Sequence, residues 1–132
     1  MIIEQAFLTE LMETSGLTAL ISNRAYYVKA PIDVALPYLV IHSISQIPRT
    51  PYFASATGKN ASRIQLSGFA TTYTSCKAIV ATIKAVFDGF SGTMGTTGVV
   101  VGACFLENEY DLPFEDSPLQ LYGIGVDYIV HY

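Results

Sequence analysis

The chain has 132 residues, of which 51% are hydrophobic and only 14% charged, with a formal net charge of -4. That length suits one domain over residues 1–132, and the charge falls well below the roughly 25% of an average soluble domain, so apolar surface beyond one core points to an oligomer or an obligate partner. Seven basic residues scattered singly exclude a footprint for duplex DNA, and no apolar run approaches the roughly 18 to 20 residues that cross a bilayer.

The first residues, Met1-Ile2-Ile3-Glu4-Gln5, carry an early acid and no basic stretch, so no secretory signal is expected and synthesis in a cytoplasm follows. Phe7, Leu8, Leu11 and Met12 recur at helical spacing and predict a helix from about Ile3 to Thr14. Ser15-Gly16 is read as its stop, and Leu17, Leu20 and Ile21 predict a further short helical turn. Ala25 to Val28 predicts a brief strand ended by Pro31, and Tyr38 to Ile44 a stronger one, with Pro37 tolerated at its start.

Gln46 to Ser62 carries Pro48, Pro51, Gly58 and Asn60 and is expected to form a long loop or extended hairpin arm. In Arg63-Ile64-Gln65-Leu66-Ser67 polar and apolar residues alternate, which predicts a half-buried strand. Thr71 or Thr72 then caps a second helix, with Tyr73, Cys76, Ile79, Val80, Ile83, Val86 and Phe87 as its apolar stripe and Asp88-Gly89 as its stop.

Ser91 to Gly98 reads as a flexible connector, Val99 to Leu106 as one well-buried strand and Glu107 to Pro118 as an acidic turn region. The segment Tyr122 to Val130 alternates with period two and is expected to pair antiparallel with Val99 to Leu106. The fold class is therefore α+β: a mainly antiparallel β-sheet packed against two principal α-helices, in the order helix-strand-strand-strand-helix-strand-strand.

Residues that carry chemistry are sparse. His42 and His131 lie inside strands among apolar neighbours without partners at metal or catalytic spacing, so each reads as a sheet-face histidine. Cys76 and Cys104 stand in apolar segments and belong to no C-x-x-C pair, so they read as reduced core residues. The glycines Gly89, Gly92, Gly95 and Gly98 run from a helix into a strand, the reverse of a phosphate loop, and no Lys-Ser/Thr follows. No enzymatic activity, metal or cofactor is expected.

Two segments stand out as interaction candidates. Thr50, Pro51, Tyr52 and Phe53, with Lys59, belong to an arm expected to be mobile and to order on docking. Glu107, Glu109, Asp111, Glu115 and Asp116 concentrate five of the eleven acids, without the spacing or central glycine of an EF-hand. They read as an electronegative patch. The nine tyrosines read as core and interface packing, because base stacking works beside basic grooves.

In their order along the chain, several stretches resemble the tail-completion or tail-terminator proteins of long-tailed bacteriophages and related prophages. They are Gly16-Leu17-Thr18-Ala19-Leu20-Ile21, Arg24-Ala25-Tyr26-Tyr27, Ala30-Pro31, Leu36-Pro37-Tyr38-Leu39-Val40, Ile64-Gln65-Leu66, the helix from Tyr73 to Phe87, and Asp127-Tyr128. The resemblance implies a small α+β structural protein of the virion that forms a hexameric ring on the head-proximal end of the tail tube. The ring would end tube growth and join the tail to the head. Its implied partners are copies of itself, the tail tube protein and a head completion or connector protein, and DNA would pass through without specific binding. Assembly would take place in the host cytoplasm. A head-completion or connector adaptor, or a non-enzymatic dimeric binding domain, is the alternative.

Overall fold

The helical spacing near the N-terminus produces two helices rather than one helix and a turn. In the computed structural model, which describes residues 3–29, 31, 35–48, 60–95, 99–112 and 122–132, α1 spans Ile3–Glu13 and α2 spans Ser15–Ile21. The break falls at Thr14, whose backbone is extended and whose hydroxyl donates to Glu10 O at 2.9 Å. Ser15 and Gly16, expected to stop the first helix, instead open the second. Ile3, Ala6, Phe7 and Leu11 of α1, and Leu17 and Ile21 of α2, are buried in one core.

The remaining elements are β1 (Ala25–Tyr27), β2 (Tyr38–Pro48), β3 (Asn60–Ala70), α3 (Tyr73–Phe87), β4 (Gly92–Met94), β5 (Val99–Val101), β6 (Ala103–Leu112) and β7 (Tyr122–His131). Five strands make one sheet in the order β1-β2-β3-β7-β6, while β4 and β5 pair as a small second sheet. Every pairing is antiparallel except the short β1 on β2. The sheet is therefore mainly antiparallel, as the alternating patterns predicted.

The helices among the described residues share one core on one face of this sheet, α1 and α3 against its strands and α2 against both helices. Register decides which residues meet them: Ile41, Leu66 and Val126 fall in one row, and Ile64, Tyr128 and Leu106 in the next. Phe87 of α3 joins the layers, with its ring 4.7 Å from Phe7 and 6.0 Å from Tyr128 between centroids. Each such side chain contributes about 1.5–3 kcal/mol by leaving water. α3 also comes close to β3 at Gly68, where a Cβ would lie 3.1 Å from Ile79 Cγ2. Thr72 caps α3, its hydroxyl oxygen accepting from Ser75 N at 3.2 Å.

Four expectations are corrected. The run Val99 to Leu106 breaks at Gly102, whose N–H donates to His131 O at 2.7 Å, and the first half pairs with β4 instead of β7. The expected connector from Ser91 supplies that partner strand, because Met94 and Val101 can both be buried in the core. The pairing of β2 with β3 reaches Pro48 and Asn60, beyond the expected end at Ile44, with a register shift between Ser43 and Ser45. The acidic segment from Glu107 is strand, not turn, as far as Leu112, because its side chains find partners on both faces of the sheet.

Candidate assembly surfaces

The face of the sheet turned away from the helices carries the side chains that alternate with the core. From β2 come Tyr38, Val40 and His42, from β3 Arg63, Gln65, Ser67 and Phe69, and from β7 Asp127, Ile129 and His131. β6 adds Phe105 and Tyr110. Tyr38 stacks on Phe69 at 4.9 Å, and Tyr26 meets Tyr38 edge-on at 6.4 Å, so one end of the face is aromatic. Phe105, opposite Ile129 in the register, is 55% exposed.

The centre of the face is polar and largely satisfied from within. Gln65 Nε2 donates to Ser67 Oγ at 3.0 Å, and the Tyr110 hydroxyl donates to Asp127 Oδ1 at 3.1 Å. Burial, together with the Asp127 carboxylate, pushes the Tyr110 phenol up to about 12. Arg63 forms an ion pair with Glu107, which occupies the register shift between Leu106 and Asn108.

Glu109 and Asp111 point the other way, onto α3. Lys84 Nζ donates to Glu109 Oε2 at 3.0 Å and Lys77 Nζ to Oε1 at 3.4 Å. The bond from Lys84, chiefly, holds the Glu109 carboxyl below its usual range. The Tyr73 hydroxyl donates to Asp111 at 3.1 Å. Tyr73, Lys77 and Lys84, spaced by four and seven, lie along one stripe of α3. The described part of the acidic run is thus tied to Arg63, Lys77, Lys84 and Tyr73, which screens its field. Sequence reading missed these ties, since nothing in the local pattern pairs a strand carboxylate with a lysine 25 residues upstream.

Of the other residues singled out, Thr50, Pro51, Tyr52, Phe53, Lys59, Glu115 and Asp116 lie outside the described residues. His42 is exposed on the open face and His131 half-buried. Cys76 and Cys104 are buried free thiols. Among the described residues no three of His, Cys, Asp or Glu are grouped to hold a metal ion, and no helix is long and apolar enough to cross a membrane.

No protein-family model and no curated protein matches the chain. Among solved structures, the fold is similar to that of a chain from the virion of a native gene transfer agent particle. The likeness has a TM-score of 0.76 at 13% identity and covers 98% of this chain and 92% of that one.

Proposed function

We propose that this chain is a structural virion protein that assembles into a ring, hexameric by the resemblance, at the head-proximal end of a phage tail tube, where it ends tube growth and joins the tail to the head connector. The observation that carries the reading is the whole-length fold likeness to a chain of a gene transfer agent virion. The composition supports it independently. A chain with 14% charged residues that also leaves Val28, Val100 and Phe105 more than half exposed has apolar surface for neighbours to cover. Docking to the tail or the connector is assigned to Thr50, Pro51, Tyr52 and Phe53 with Lys59, and the acidic run to the ring's channel or rim, with DNA passing through the ring unbound.

The test is assembly itself. Purified protein mixed with tail tube protein and viewed by negative-stain electron microscopy should give rings with a central hole seated on tube ends of limited length. Rings that seat only on the head connector would move the protein to the other side of the joint. A monomer at high concentration that leaves tube growth unchanged would overturn the proposal.

A further inference from the structure

Among the described residues β6 is the outermost strand on its side of the five-stranded sheet, and it runs for 10 residues. An edge of that length offers unpaired N–H and C=O groups to any extended chain, including a second copy of the same protein. Part of this edge is already occupied. Gly89 N–H donates to Cys104 O at 2.9 Å, and Leu106 N–H donates to Asp88 Oδ1 at 3.4 Å. Both partners belong to the turn that ends α3. Asp88 is the C-cap, its own N–H bonded to Lys84 O, and Gly89 adopts a φ of 77°, a left-handed conformation that suits a residue without Cβ and turns the chain back onto β6.

Directly beyond Leu106 the register shifts, and Glu107 stands in the irregularity, held by Arg63. An irregularity of this kind bends and twists a strand so that a flat partner cannot run past it, and a charge on it adds a desolvation cost. The opposite edge is closed by other means. β1 has only three residues, Ala25 N–H and Tyr27 O are bonded within their own segment to Asn23 O and Lys29 N–H, and Val28 leaves the strand with a φ of 65°.

We infer that the Asp88–Gly89 turn is an edge guard: it occupies the carbonyl of Cys104 and the N–H of Leu106 on β6 and so keeps a second copy of this chain from adding a strand there. Contacts between copies then run through faces and loops and not through this edge. The inference does not depend on where in a particle the protein sits.

Three measurements test it. In the unaltered protein the Leu106 amide should be protected from hydrogen exchange although it belongs to an edge strand, and exchange at the rate of an open chain would overturn the inference. Asp88→Ala removes an exposed acceptor without touching the core. It should speed Leu106 exchange by about tenfold or more, as expected for the loss of a hydrogen bond to a charged group. It should also raise concentration-dependent association with an intermolecular β signature in infrared spectra, whereas Asp88→Asn, which keeps the acceptor oxygen, should behave as the parent. A folded Asp88→Ala protein that exchanges faster yet associates no more than the parent would overturn the guard. Finally, a synthetic peptide with the β7 sequence, residues 122–131, should bind Asp88→Ala and not the parent, and equal binding to both would count against it.

Discussion

The ring of Tyr110 lies across Gly125, so close that a Cβ on Gly125 would come within 2.8 Å of Tyr110 Cε2. The two residues are register partners on β6 and β7. An aromatic ring laid over a strand glycine recovers the packing that the missing side chain forgoes, and here it also carries the hydroxyl to Asp127.

Gly125→Ala should therefore displace the Tyr110 ring and break its bond to Asp127, with a loss of about 1–3 kcal/mol for overpacking. Chemical denaturation measures it. In Tyr110→Ala the same glycine substitution should cost almost nothing, because the obstructing ring is gone, and a double-mutant cycle reads that coupling directly.

Tyr128 is fully buried, and its hydroxyl has no hydrogen-bond partner among the described residues. A buried hydroxyl without a partner costs about 1–3 kcal/mol. Tyr128→Phe keeps the ring against Phe87 and should raise the denaturation midpoint. A lower midpoint would show that the hydroxyl is bonded after all, for example to an internal water.

Alkaline stability depends on Cys104 and Tyr110 among other groups, and the buried Tyr128 and Cys76, raised by burial, act in the same direction. Burial, with Asp88 nearby, pushes the Cys104 thiol from its ordinary 9.0 up to about 12, and Tyr110 moves from 10.0 to about 12. Above about pH 9 the unfolded chain releases these protons first, so the folded state binds more protons and stability falls as pH rises towards 12. Below pH 9 both groups are protonated in either state and contribute no slope. Denaturation midpoints between pH 8 and 11 should fall accordingly, and less steeply in Cys104→Ala. For the same reason a thiol reagent at pH 8 should label the native protein at the rate of global or local opening.

Local pattern was enough for α3. Of its expected apolar stripe, Cys76, Ile79, Val80, Ile83 and Phe87 are buried and Val86 partly so, whereas Tyr73 is exposed and reaches out to Asp111; Thr72 is the cap. The same holds for the alternation at Ile64 and Leu66, since a strand buried on one side announces itself by period two. Where the sequence reading placed boundaries by composition, it erred. Glycine and threonine from Ser91 suggested a connector, and acids from Glu107 suggested a turn, yet both segments contain strands.

Those outcomes depend on distant partners. The acidic strand persists because Arg63, Lys77, Lys84 and Tyr73 are brought to Glu107, Glu109 and Asp111 from other elements. The split at Gly102 depends on His131 at the far end of the chain. Composition and periodicity determine which residues must leave water and which backbone states are cheap. They carry no record of which strand lies beside which, and the sheet order β1-β2-β3-β7-β6, the row that sets Tyr110 over Gly125 and the turn that covers the edge of β6 are properties of that order alone. Strand pairing is a long-range choice, decided when the two faces of the sheet are packed together, and only the tertiary structure expresses it.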